Sequence, residues 1–311
     1  MSSNVKIKVS SKSFSKHPIL RNELLAAFPY AAFNEQFLDF SEDDFAKFIG
    51  GSQGMVVGLE PVVDPVLARC PNLELVSKFG VGLDNIDETA ADKHNVKIGW
   101  TGGVNRRSVS EMTLCFMIGL SRHILFSSRN LLRIDDWNKN GGRDLSNQVV
   151  GIIGVGYIGK DLASLLKPFG CTILVNDLID QADYYQANGL IASSKEEIYA
   201  KADIVTVHTP LDETTRGFCN AETFKQMKET SYFINCARGG LVVQTDLKQA
   251  LIDGTIAGAA IDVFEMEPCA DSEFINLPNL ICTPHTGGSS DEAILAMGRS
   301  AIKHLVRHFD C

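Results

Sequence analysis

The sequence predicts an α/β protein made of two doubly wound parallel-sheet domains. Three observations predict it. A chain of 311 residues is long for one domain. Short apolar runs alternate with helix-like segments in two series, one within the first hundred residues and one from Val149 to Cys282. A glycine-rich loop opens the second series directly after its first apolar run.

In the first series Val5–Val9, Gly54–Leu59, Leu73–Lys78 and Val96–Gly99 read as short buried strands, and Ile19–Phe28 as an amphipathic helix. Ser41 followed by Glu42, Asp43 and Asp44 supplies a cap and first-turn acids, so a helix runs to Ile49 and stops at Gly50 and Gly51. A long, largely apolar helix from about Asn105 to His123 reads as a bridge between domains, and Arg133–Asn147 as a polar loop. The second series offers Val149–Ile153, Thr172–Val175, Ile204–Val207, Tyr232–Asn235, Gly258–Ile261 and Leu280–Cys282. Six such runs, most separated by helical segments, suit a doubly wound dinucleotide fold. An amphipathic helix, Asp291–Phe309, follows.

With 45% hydrophobic and 22% charged residues the composition is that of an ordinary globular protein. A net charge of −9 argues against a nucleic-acid surface. The eight cysteines form no CxxC pair and no His/Cys cluster with metal-ligand spacing, so no metal is expected. No apolar stretch approaches bilayer length, and the first residues lack the apolar core of a signal peptide. The expectation is a protein of the reducing cytoplasm with no membrane partner.

The loop Gly151-Ile-Ile-Gly154-Val-Gly156-Tyr-Ile-Gly159 lies between a strand candidate and the helix Ile158–Lys167. A phosphate lying on backbone needs residues without a Cβ, and a helix start offers free N–H groups and a positive dipole end. Gly154, Gly156 and Gly159 meet that need. Asp177 ends the next strand 18 residues beyond Gly159, where a carboxylate accepts hydrogen bonds from an adenosine ribose. It would repel a 2′-phosphate, which favours NAD over NADP. A glycine turn that merely packs a helix on a strand is the alternative, and strand, helix and acid together weigh against it.

Three polar residues follow strand candidates of the same series: Arg238, Glu267 and His285. Reducing a ketone by hydride leaves negative charge on oxygen, so a proton donor must sit beside it. An imidazole titrates near physiological pH and suits the task, which selects His285. A carboxylate on its other ring nitrogen, for which Glu267 is the candidate, would orient the ring and favour its protonated form. The guanidinium of Arg238 matches a carboxylate bidentately and polarises a neighbouring carbonyl. Taken singly, His285 also reads as a capping or packing histidine, Arg238 as a surface cation and Glu267 as a solvated loop acid. Their shared position at the carboxyl ends of one sheet, where a ligand crevice forms, favours the catalytic reading.

These segments, with Phe79-Gly-Val-Gly-Leu-Asp-Asn-Ile-Asp87, Val109-Ser-Glu111 and Val207-His-Thr-Pro-Leu-Asp-Glu-Thr-Thr215, resemble the D-isomer-specific 2-hydroxyacid dehydrogenase family nearly end to end. The resemblance implies a Rossmann NAD-binding domain over 102–285 and a flavodoxin-like substrate domain formed discontinuously by 1–101 and 286–311. It also implies a homodimer, with the active site in the cleft between the domains. By similarity, Arg238, Glu267 and His285 take the catalytic positions. The backbone around Val81 and Gly82 would bind the substrate carboxylate, and Asp262 would meet the nicotinamide end of the cofactor. Thr209, Cys236 and Ala237 occupy cofactor-contacting turns, and Tyr157 and Ile158 lie where the pyrophosphate contacts are largely backbone.

Lys78 stands where phosphoglycerate dehydrogenases of the family carry a basic residue for the substrate phosphate; a solvated strand-end lysine is the alternative. Arg106 and Arg107 either add positive charge or face solvent. The chain ending after its last helix implies no appended regulatory domain. The substrate expected is a small 2-oxo or 2-hydroxy acid, led by phosphoglycerate, hydroxypyruvate and glyoxylate. An NAD(H)-sensing protein resembling the corepressor branch of the fold is the second reading, since those relatives keep the trio. An oxidiser of formate or phosphite ranks below both.

Overall fold

The computed structural model describes residues 5–134, 137, 139 and 141–309. The chain divides into two compact units, Met1–Asn105 with Ser289–Cys311, and Arg106–Gly288.

The first unit is built on five parallel strands: β1 (Ile7–Val9), β2 (Ala32–Phe33), β3 (Gly54–Val57), β4 (Leu75–Lys78) and β5 (Lys97–Gly99), in the order β2-β1-β3-β4-β5. That is the flavodoxin-like doubly wound order. All four residues of β3 and of β4 are buried, because helices cover both faces of a parallel sheet. One face packs Phe14, Leu20, Leu24 and Phe28 with Met297, Ala301 and Leu305 from the helix Asp291–His308. The other packs Phe45, Ile49, Val66 and Leu67. Ser41 caps the helix Glu42–Ile49 through the N–H of Asp44, and Gly50 ends it at φ +52°.

The second unit contains seven parallel strands: β6 (Val149–Ile153), β7 (Thr172–Asn176), β8 (Ile191–Ala192), β9 (Ile204–Val207), β10 (Tyr232–Asn235), β11 (Gly258–Ile261) and β12 (Leu280–Cys282). Their order is β12-β11-β10-β9-β6-β7-β8. Winding proceeds from β6 toward β8, then restarts on the other side at β9, so β6 and β9 flank the switch point where such sheets take ligands.

Two departures from the sequence reading stand out. The edge strands β2 and β8 have two residues each, too few to form an apolar run. The helix expected from about Asn105 to His123 is present as Arg106–Ser121, and a second, unexpected helix, Ile124–Ile134, follows it after His123 takes φ +54°. Arg133 and Ile134, expected in a loop, belong to the second of these helices; positions 135, 136, 138 and 140 of that loop lie outside the described residues. Among the described residues no single helix is long and apolar enough to cross a membrane.

Candidate active site

Adjacent strand ends of the second sheet are joined by backbone bonds that carry the ladder beyond the strands. Gly154 N–H donates to Asn176 O (2.8 Å), His208 N–H to Ile153 O (2.7 Å), Asp262 N–H to Asn235 O (3.0 Å) and Thr283 N–H to Ile261 O (3.1 Å). The residues that follow these strands therefore share one rigid edge.

Gly154 has φ +96°, and a Cβ there would lie 2.6 Å from the carbonyl carbon of His208. A Cβ on Gly159 would lie 2.2 Å from the carbonyl oxygen of Gly154. Both glycines are demanded by the close approach of backbone. Gly156 differs: a Cβ there would meet nothing within 4 Å. It precedes the helix Tyr157–Leu166 and makes no side-chain cap. Asp177 faces the same loop, accepting the N–H of Val155 (2.6 Å) and that of Ile179 (2.9 Å) on separate oxygens. Leu178 and Ile179 beside it are exposed. Tyr157 is exposed and Ile158 half-buried. Cys236 and Ala237 are buried, and burial pushes the Cys236 thiol up to about 12, so it packs as a small hydrophobe.

Asp262, buried just beyond β11, organises the turn that carries His285. One carboxylate oxygen accepts Thr283 Oγ1 (2.5 Å) and Thr286 N–H (2.8 Å), and the other accepts Gly287 N–H (2.7 Å). Its carbonyl oxygen accepts the N–H of His285 (2.7 Å). These bonds hold His285 at φ +54°, a conformation few side-chain-bearing residues adopt. Nδ1 of His285 lies 2.8 Å from Oε2 of Glu267, whose Oε1 accepts the N–H of Phe264 (3.0 Å). A carboxylate at Nδ1 fixes the tautomer and leaves Nε2 for other chemistry. The side chains are 45% and 37% exposed, so the pair is reachable by a small molecule.

Arg238 follows β10 in a turn fixed by Asn235, whose Nδ2 donates to Arg238 O (2.8 Å) and whose Oδ1 accepts Ala237 N–H (3.0 Å). Its Nη1 donates to Ala237 O (2.7 Å). A Cβ on the next residue, Gly239, would lie 1.9 Å from the carbonyl carbon of Phe264. Glu267 and His285 thus meet directly, and the Arg238 turn abuts the Glu267 loop at Gly239.

In the first unit, Val81 accepts Trp100 Nε1–H on its carbonyl oxygen (2.8 Å), and Gly82 is half-buried. Lys78 is buried, with its ammonium donating to Gly58 O and Asn85 Oδ1, unlike a strand-end cation held out toward an anion. Arg107 is paired with Asp161 at 2.8 Å. No group of three or more His, Cys, Asp or Glu among the described residues could hold a metal ion.

Comparison with known proteins converges with this geometry. Residues 114–287 match the family model described as "D-isomer specific 2-hydroxyacid dehydrogenase, NAD binding domain". The chain is 37% identical over 248 residues to D-3-phosphoglycerate dehydrogenase of Bacillus subtilis, covering 79% of this chain and 47% of the relative. It is 32% identical over 283 residues to the Bacillus subtilis protein named "Putative 2-hydroxyacid dehydrogenase YoaD", covering 86% of this chain and 80% of that one. A crystal structure of a glyoxylate reductase from Paecilomyes thermophila shares the fold with a TM-score of 0.87 at 21% identity, covering 100% of this chain and 96% of that one. The chain belongs to the D-isomer specific 2-hydroxyacid dehydrogenase family. It spans about half the length of the phosphoglycerate dehydrogenases it matches.

NAD is the cofactor of this family member's second unit, and the residues present fit it. Gly156 leaves open space over an uncapped helix start, the arrangement a pyrophosphate requires. Two buried side-chain atoms of the residues whose backbone abuts Gly154, Thr209 Oγ1 and His208 Nδ1, have no hydrogen-bond partner among the described residues. Such orphans are costly unless a ligand or water satisfies them. Thr209 was among the expected cofactor contacts; His208 was not assigned a role. Burial pushes its imidazole down to about 4, so it is neutral near pH 7, and Thr206 Oγ1 lies 3.0 Å from Nε2. A histidine within an apolar strand end carries no sequence signal of that environment.

Proposed function

We propose that this protein is an NAD-dependent oxidoreductase interconverting a small 2-oxo acid and the D-2-hydroxy acid. The observation that carries the proposal is the 2.8 Å pair of Glu267 and His285, beside the strand ends that also bear the glycine loop. Bound NADH supplies a hydride to the substrate carbonyl. His285 delivers a proton from Nε2 to the carbonyl oxygen and recovers it in the reverse direction. Glu267 keeps the ring in that tautomer and offsets the charge of its protonated form. Arg238 binds the carboxylate and polarises the carbonyl. The backbone of Val81 and Gly82 also binds the carboxylate.

For the cofactor, Gly154, Gly156, Tyr157, Ile158 and Gly159 line the pyrophosphate, and Asp177 accepts from the adenosine ribose. Thr209, Cys236, Ala237 and Asp262 complete the cofactor-facing turns. Asp262 acts there through the turn it anchors as well, since its carboxylate already accepts three protein donors at 2.8 Å or less. Phosphoglycerate, hydroxypyruvate and glyoxylate are the leading substrates; the first is what the Bacillus subtilis relative is named for. The protein is further proposed to act as a homodimer. Exposed Ile124, Leu125, Leu131, Leu132 and Trp137 support self-association, because apolar side chains clustered on one segment mark an interface.

The test follows NADH absorbance with glyoxylate, hydroxypyruvate and its phosphate, in wild type and Arg238→Ala. Turnover lost in the variant supports the assignment. Tight NADH binding without turnover of any keto acid would leave the NAD-sensing reading in its place.

A further inference from the structure

Lys78 ends β4 just before the turn at Gly80–Gly82, yet only 4% of it is exposed. A lysine ordinarily keeps its ammonium in water. Here Nζ donates to the carbonyl oxygen of Gly58 and to Oδ1 of Asn85, each at 2.5 Å. Asn85 completes the knot with Nδ2, which donates to Gly58 O (3.3 Å) and Glu60 O (2.6 Å). The segments following β3 and β4 are thereby tied together. The turn rests on the same side chain: Gly80 has φ +144°, and a Cβ there would lie 3.0 Å from Lys78 Cε. Trp100 holds Val81 O from another element at 2.8 Å, and Phe79 N–H donates to Val57 O at 2.8 Å.

We infer that Lys78 is a positioning residue that sets the Gly80–Gly82 turn, and that recognition of the substrate does not run through a distal phosphate held by Lys78. The inference rests on the proposed role of Val81 and Gly82. An ammonium drawn away toward an anion would cost the buried Gly58 carbonyl its closest donor, leaving only the 3.3 Å bond from Asn85, and would take the Lys78 donor from the half-buried Asn85 Oδ1. Its stem would also move from beneath Gly80, disturbing the turn that the anion's own carboxylate needs. The substrate class that follows is a small 2-oxo acid for which phosphorylation is not the feature read at β4.

The test compares wild type with Lys78→Met, using hydroxypyruvate and its phosphate at saturating NADH. The expected result is a KM raised about tenfold for both acids, with kcat within about twofold, as for loss of binding common to ground and transition states. A KM raised for the phosphorylated acid alone overturns the inference, because it reports a lost phosphate contact. Asn85→Ala guards against a Lys78 variant that fails to fold: it keeps the ammonium and removes one of its two acceptors. It should raise both KM values in parallel; no change in either, or a lower KM for the phosphate alone, overturns the inference. Wild type that turns over neither acid removes the proposed function and this inference with it, an outcome distinct from all of the above.

Discussion

His285 sits on a left-handed backbone that Asp262 stabilises through four bonds, so the placement of the imidazole is independent of its ring chemistry. Replacing His285 by Asn, a residue tolerant of that conformation, should therefore leave folding nearly untouched while removing the proton donor. The expected kcat falls by roughly 10²–10⁴-fold, with the thermal midpoint unchanged within about 2 °C; a midpoint that collapses instead would assign His285 to structure. His208 behaves oppositely. Its folded pKa is pushed down to about 4 from an ordinary 6.5, so below pH 6.5 the unfolded chain takes up the proton first. Stability from the neutral buried ring is complete above pH 6.5 and is lost progressively as the pH falls toward 4, up to about 3 kcal/mol. His208→Gln should flatten the thermal midpoint between pH 6.5 and 4 relative to wild type, and an unaltered slope would contradict the burial argument.

At the scale of elements, the glycine loop separates packing from ligand binding within six residues. Gly159 and Gly154 are required by backbone 2.2 and 2.6 Å from where a Cβ would fall. Gly159→Ala should push the helix Tyr157–Leu166 off β6 and lower stability by about 1–3 kcal/mol even without cofactor. Gly156 faces open space, so Gly156→Ala should leave the apo midpoint where it is. A pyrophosphate on that backbone would meet the added methyl, and NADH affinity measured by fluorescence titration should drop about tenfold or more. An apo protein equally destabilised by both changes would mean that the loop is only a packing turn.

At the scale of the whole molecule, the strands with both faces buried were legible because such strands read as unbroken apolar runs. Five of them, β6, β9, β10, β11 and β12, have the bounds expected from sequence. The two-residue edges β2 and β8 were not, since pairing with one neighbour asks nothing of composition over so short a length. Nor was the second helix Ile124–Ile134, which restarts just after His123 takes a positive φ. The Glu267–His285 pair was legible as a chemical need, and its 2.8 Å geometry depended on Asp262 acting on the turn, a role no spacing encodes. Lys78 read as a contact for a substrate phosphate or else as a solvated strand-end cation, because sequence records charge and not the carbonyl and amide oxygen that fold around it.

The two units carry separate cores, Phe45, Met55 and Val76 in one and Val150, Ile234 and Phe233 in the other. A ligand stabilises the amides whose opening it must precede, by about 2.7 kcal/mol at a hundredfold excess over Kd. Hydrogen exchange with saturating NADH should therefore slow at the loop 154–159, at 207–210 and in β6 and β9, while β1 to β5 exchange as before. Protection confined to β1–β5 would move the cofactor to the other unit and detach the Glu267–His285 pair from hydride chemistry.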